Sequence, residues 1–178
     1  ALQFWFDWKF FPQGPNPAST FVNRNFFAEF VVCTVPFTVY LLVQAKSSAR
    51  IALLAFSLGF NIVALMMTGT RGALTALFVY RKQFNFFRWD SGKRIVAIGI
   101  LISTVIGLGM INTNNPKLLA DSWALGTSAF DRAFKRTASI SADDGSLSIR
   151  LIMWKATADM IKAKPLTGVG AGAWEAMQ

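Results

Sequence analysis

The chain has 178 residues, 53% of them hydrophobic and 15% charged, with a mean hydropathy of +0.42. It is too apolar for a soluble domain of this size, and its apolar runs reach the roughly 17 to 25 residues that a bilayer-crossing helix needs, which excludes a disordered, collagenous or disulfide-stapled chain. The 18 Lys and Arg against 9 Asp and Glu give a net charge of +9, but they fall largely in short loops between apolar runs and no RNA-reading aromatic motif accompanies them, so the excess marks membrane topology and no nucleic-acid partner is expected.

In chain order, the first 25 residues carry Phe4, Trp5, Phe6, Trp8, Phe10 and Phe11 ahead of a Pro-rich turn at 12–17. Such an aromatic cluster suits a segment lying among lipid headgroups, and an interfacial anchor is expected. The first span is expected at 26–45. At about 1.5 Å per residue it covers roughly 30 Å, one hydrocarbon thickness. It holds Glu29 near its start, Cys33 buried in its apolar run, and Pro36, expected to kink it.

A second span at 51–68 contains Ser57, Gly59 and Asn61, small and polar residues that suit close helix contacts. A third, at 72–88, has a short apolar core interrupted by Arg81 and Lys82, so it must either thin the bilayer or let those two side chains snorkel to the surface. A fourth spans 95–111. The loops 46–50 and 81–94 hold Lys46, Arg50, Arg81, Lys82, Arg88, Lys93 and Arg94 against the single acid Asp90. The positive-inside rule therefore puts both in the cytoplasm. Four crossings then place 1–25, the turn around Arg71 and the whole of 112–178 together on the outer side.

In 112–178, Leu119, Trp123, Phe130 and Phe134 recur at helical spacing with Asp121, Asp131, Lys135 and Arg136 on other faces. One surface-lying amphipathic helix is expected over 117–137. After a polar loop at 139–145, a second helix opens near Ser146 or Ser148, carries an apolar stripe of Ile149, Ile152, Ala156, Met160 and Ala163, and is halted by Lys164-Pro165. Residues 165–172 form a Gly-rich bend. Ala1 without an initiator Met, and a helix-like stretch at 172–178, predict a piece of a longer chain.

With no histidine, one cysteine and no acid pair at ligand spacing, zinc sites, Ser-His-Asp triads and thiol catalysis are absent from this sequence, and neither a metal nor a cofactor is expected. Asp143-Asp144 reads as a solvated loop pair rather than a cation site. Arg71 stands at the outer end of a span, where the positive-inside rule does not put it, between Gly69 and Gly72. A guanidinium fork there suits a phosphate or diphosphate at headgroup depth, or lipid headgroups as a simple anchor. Arg150 precedes Trp154 by one helical turn, so the two share a face. Arg24 caps the outer end of the first span, with Asn23 or Asn25 as N-cap, and Glu29 is expected to face protein or a wet cleft because a carboxylate in lipid is costly.

The segment Thr20-Phe21-Val22-Asn23-Arg24-Asn25-Phe26-Phe27-Ala28-Glu29-Phe30, then Thr68-Gly69-Thr70-Arg71-Gly72-Ala73-Leu74, then Arg150 with Trp154 and Pro165-Leu166-Thr167-Gly168-Val169-Gly170, resemble in order the motifs of the O-antigen ligase and polymerase family of bacterial envelope glycosyltransferases. The resemblance implies an all-α, polytopic, GT-C-like bundle in the bacterial inner membrane. Four of its transmembrane helices would lie in this chain, with 112–178 beginning a large periplasmic loop. It also implies transfer of a glycan from undecaprenyl pyrophosphate to an acceptor hydroxyl, without metal or cofactor, and with inversion.

Lipid A core is the expected acceptor, as in an O-antigen ligase. A polysaccharide polymerase and a protein O-oligosaccharyltransferase of the same family are the alternatives. Arg71 and Arg150 align with the arginines assigned to the donor diphosphate, Thr70 replaces the usual Ser, and Arg24, Glu29 and Trp154 are candidate substrate-binding residues. The family's loop histidine, a proposed general base, is implied beyond Gln178. Outside this class, a secondary transporter or anion channel would also place arginines near a wet site, but predicts an inverted repeat that the sequence lacks. A purely structural membrane subunit would leave Arg71 and Arg150 free to vary.

Overall fold

The computed structural model describes residues 1–8, 17–73, 75–76, 91–120, 126–138, 145–168 and 170. The chain forms two compact units, Ala1–Ala138 and Ser139–Gln178, each described by itself.

The described part of the first unit is helical. It contains α1 (Leu2–Phe6), a 3-10 turn at Ser19–Phe21, α2 (Arg24–Gln44), α3 (Ser48–Thr68), α4 (Ser91–Gly109), α5 (Pro116–Ala120) and α6 (Ala129–Ala138). Three of its helices are long and apolar enough to cross a membrane: Arg24–Gln44, Ser48–Thr68 and Gly92–Gly109. They correspond to the expected spans 26–45, 51–68 and 95–111, each starting two or three residues earlier. The expected third span, 72–88, lies largely outside the described residues; 71–73 and 75–76 are helical. α2 runs on through Pro36 as one helix.

Many large apolar side chains on these helices face outward, among them Phe37 at 71%, Leu53 at 68% and Ile95 at 69% exposure. In water such a surface would aggregate; in hydrocarbon it is solvated, so the helices form a membrane bundle. Cys33, expected to be buried, is also exposed on α2, because the apolar run that contains it faces outward there.

Packing fixes the directions of the three long helices. At one end Leu42 of α2 and Ile51 of α3 share a cluster with Ala97 near the start of α4. Towards the other end Ala28, Val31 and Val32 of α2 pack on Leu65 of α3, while Val105 and Leu108 of α4 flank Val63, Met66 and Met67. Hence α2 and α3 are antiparallel, and α3 and α4 are parallel neighbours. A Cβ on Gly59 of α3 would stand 2.9 Å from Cβ of Thr104 and 3.3 Å from the carbonyl oxygen of Leu101, both on α4. The missing side chain is what lets the two backbones approach, as small residues do between membrane helices.

The N-terminal aromatic cluster does more than anchor. Phe4 is fully buried among Val63, Met66, Met67, Leu118 and Ala129, whereas Phe6 and Trp8 remain exposed and Phe10 and Phe11 lie outside the described residues. α1 is strapped to the stretch after α4. Asn115 Nδ2 donates to the Gln3 carbonyl at 3.1 Å and to Asp7 Oδ1 at 3.0 Å, the Thr113 hydroxyl donates to the Phe4 carbonyl, and the Asn114 N–H donates to the Trp5 carbonyl at 3.0 Å.

Since overpacking a close helix contact costs roughly 1–3 kcal/mol, Gly59→Val should lower the unfolding temperature of the detergent-solubilised protein. Gly99→Ala, where an added Cβ meets nothing within 4 Å, should not. Equal unfolding temperatures for the two variants would contradict the α3–α4 contact.

Candidate functional site

The end of the bundle that holds α1 also holds the start of α2, the end of α3 and α6. α3 terminates at Gly69, which adopts a left-handed conformation (φ 61°) while its N–H donates to the Met66 carbonyl. Only glycine takes that backbone without strain, so the chain turns there and leads into Thr70 and Arg71. The turn is held from within: the buried Thr68 hydroxyl donates to the Leu65 carbonyl at 2.7 Å and accepts from the Thr70 N–H at 3.2 Å. It is also held from α2, where Asn25 Oδ1 accepts from the Thr70 hydroxyl at 3.4 Å. Asn23 caps α2 by accepting from the Asn25 N–H at 2.8 Å, which places Arg24 in the first turn. Arg71 and Arg24, two of the expected site residues, thus sit on segments joined by a side-chain hydrogen bond. Both are partly buried, and both make further interactions within the chain.

The expected amphipathic helix over 117–137 is not one helix. It is α5 and α6, with residues 121–125 outside the described set and a non-helical approach to α6 at 126–128. Gly126 (φ 120°) has no room for a Cβ, which would stand 2.6 Å from the Arg132 backbone nitrogen, and Ser128 pairs with Asn112 in an isolated antiparallel bridge. Ser128 Oγ accepts from the Asp131 N–H at 3.1 Å, while Asp131 Oδ2 accepts from the Thr127 N–H at 3.1 Å and from Lys135 Nζ at 3.0 Å. This is a capping arrangement that fixes where α6 begins.

The face that α6 buries against the bundle is a basic one. Phe134 is 75% exposed, and Phe130 lies at the edge over Gly109, whereas Arg132 is fully buried and Arg136 is 9% exposed. Both arginines lie on the Gly69 turn: the position a Cβ would take on Gly69 is 3.2 Å from Arg132 Nε and 3.2 Å from Arg136 Cγ. Their Nε–H groups are buried without a hydrogen-bond acceptor, although each residue interacts elsewhere in the chain. Sequence periodicity missed these two residues. The usable signal was their one-turn spacing on a short helix whose Ser128 and Asp131 mark its start.

Glu29 is exposed on the surface of α2 rather than enclosed by described residues. Arg150 and Trp154 belong to the second unit, on α7 (Gly145–Ala163), which ends where Lys164-Pro165 was expected to halt it. They stand one turn apart there and both are exposed, Trp154 at 62%. Asp143 and Asp144 lie outside the described residues, and among those described no cluster of His, Cys, Asp or Glu could hold a metal ion. The chemistry available around Arg71 is that of fixed guanidinium groups, which bind phosphate oxygens through paired N–H donors.

The hydrogen bond from Lys135 is the largest cause holding the Asp131 carboxyl below its ordinary range. A depressed folded value means that the carboxylate stabilises the fold above its unfolded pKa of about 3.9 and that this contribution is lost as pH falls through the folded value. Because the pair is surface-exposed, the effect should be roughly 0.5 kcal/mol. Asp131→Asn should therefore unfold at a lower temperature than the unsubstituted chain at pH 6, with the gap closing below about pH 4; a gap independent of pH would contradict the assignment.

A family model described as O-antigen ligase matches residues 47–178, well over half of the chain. No curated protein and no solved structure matches it.

Proposed function

The chain belongs to the O-antigen ligase family, whose members are membrane glycosyltransferases of the ligase and polymerase type, and from that premise we propose that it transfers a glycan from undecaprenyl pyrophosphate to the hydroxyl of an acceptor, lipid A core. Arg71 and Arg150 bind the donor diphosphate, and Arg24, Glu29 and Trp154 contact donor or acceptor. The observation that carries this reading is the meeting at one end of the bundle of the Arg71 turn, the first turn of α2 and the arginine face of α6.

Such a site suits the reaction. As the bond from the anomeric carbon to the diphosphate oxygen breaks, that oxygen takes the electron pair, and preorganised guanidinium groups stabilise the added charge. The acceptor oxygen attacks from the opposite face and loses its proton to a base, which inverts the anomeric carbon. The site's placement at headgroup depth would bring it level with a lipid-anchored diphosphate.

The proposed location is the bacterial inner membrane, with 46–50 cytoplasmic and 112–178 periplasmic. Lys46 and Arg50 support the first side. The parallel course of α3 and α4 supports a return crossing between them, the expected span at 72–88, and with it the grouping of 1–25, Arg71 and 112–138 on one side.

Removing one charge-stabilising donor typically costs about 10²–10³ in rate. Arg71→Ala or Arg150→Ala in the whole protein should therefore reduce glycan transfer by that order while the protein still inserts and accumulates; undiminished transfer in both would remove the site. With purified protein and the lipid-linked donor, lipid A core, a second glycan repeat and a protein substrate offered in parallel separate ligase from polymerase and protein glycosylation. Sidedness is checked with Cys33 replaced: Thr127→Cys should react with an impermeant maleimide in intact spheroplasts and Ser47→Cys only after permeabilisation. The reverse pattern would contradict the topology.

A further inference from the structure

α6 presents to its surroundings a face that water would not select. At about 100° per residue, Phe130, Phe134, Thr137 and Ala138 fall within an arc of roughly 100°, and all four are exposed, Phe134 at 75%. The helix carries four charged side chains, and none of them lies in that arc. Arg132 and Arg136 are buried on the opposite face, against the Gly69 turn. Asp131 and Lys135 stand at one flank, paired with each other at 3.0 Å. Even the hydroxyl within the arc is satisfied by the helix itself, since Thr137 Oγ1 donates to the Ala133 carbonyl at 2.8 Å. A surface helix bathed in water turns its charges outward and its apolar stripe to the core. α6 does the converse, as a helix does when the medium against it is apolar.

Where this face lies follows from what α6 packs on. Gly69 caps α3 and Gly109 ends α4, both helices of membrane-crossing length, and such ends stand where hydrocarbon gives way to headgroups. The Phe130 ring lies on Gly109, where an added Cβ would stand 2.7 Å from its Cε2. The next residue, Met110, is 66% exposed, and Ile106, one turn back on α4, is exposed as well. They belong to the outward apolar surface by which the bundle meets lipid, so that surface continues from α4 on to the phenylalanines of α6.

We propose that this face of α6 is a lipid-binding surface: Phe130 and Phe134 insert among acyl chains just beneath the headgroups of the leaflet in which α3 and α4 end, with the Asp131–Lys135 pair at headgroup level. Such insertion requires neither donor nor acceptor. Because its opposite face is packed on Gly69, α6 so seated ties the depth of the Arg71 turn to the lipid surface.

The test is nitroxide accessibility in the whole protein, reconstituted in nanodiscs of phosphatidylcholine and phosphatidylglycerol with its cysteines, Cys33 among them, replaced. A label at Phe134→Cys should collide severalfold more with oxygen, which concentrates in hydrocarbon, than with a water-soluble nickel chelate. A label at Ser47→Cys, in the loop before α3, should show the opposite preference. If Phe134→Cys does not fold, Thr137→Cys in the same arc takes its place. A preference for the nickel chelate at that position, as at Ser47→Cys, would place the face in water and overturn the proposal. Low collision with both reagents would overturn it too, because another protein surface would then cover the face.

Discussion

The contact between α6 and the turn that ends α3 governs the described end of the bundle. Gly69 can turn there because it lacks a Cβ, and the space that a Cβ would take is filled by the side chains of Arg132 and Arg136. From that contact the remaining geometry follows in both directions. Thr70 reaches Asn25 and so ties the turn to the start of α2 with Arg24. On the other side, Leu118 and Ala129 close over Phe4 together with the last turn of α3, and Asn115 and Thr113 hold α1 in place. The result is a polar, basic end on a bundle whose sides are apolar.

That arrangement suits a reaction whose two demands are positional and electrostatic. A lipid-linked donor presents its diphosphate at one depth in the membrane, and the turn after a membrane-length helix is a fixed point at such a depth. Guanidinium groups keep their charge at any physiological pH and hold planar forks toward phosphate oxygens, so their value depends on being held still in poorly solvated surroundings. The turn that carries Arg71 is held by the Thr68 and Thr70 hydrogen bonds, and the exposed Phe130 and Phe134 face of α6 is compatible with the interfacial region of a membrane.

The spans 26–45, 51–68 and 95–111 were legible because hydrocarbon thickness imposes a length that only sustained apolar runs meet. Gly59 was legible for a related reason: in lipid, small residues mark close approach. The face of α6 was not. A period of 3.6 residues identifies two faces without saying which one the protein covers, and the rule that apolar faces turn inward presumes water outside. The break before α6 was written locally, in Gly126 and in Ser128 with Asp131 three residues on, but the longer hydrophobic spacing from Leu119 to Phe134 masked it. The role of Phe4 was illegible in principle. Its aromatic neighbours suggested the headgroup region, and its burial depends on partners such as Leu118 and Thr113, more than a hundred residues away. Of the candidate site, Arg71 and Arg24 stood out through their position at span ends. The arginines of α6 looked like ordinary surface charges because nothing nearby in sequence reveals that Gly69 lies beneath them.

The most direct measurement is an experimental density map of the whole protein in nanodiscs with a bound polyprenyl diphosphate. The proposed function predicts phosphate density against Arg71, at headgroup depth on the side opposite the 46–50 loop. Phosphate density remote from Gly69, or an α6 that turns Arg132 and Arg136 to solvent and packs Phe130 and Phe134 on α3, would contradict it.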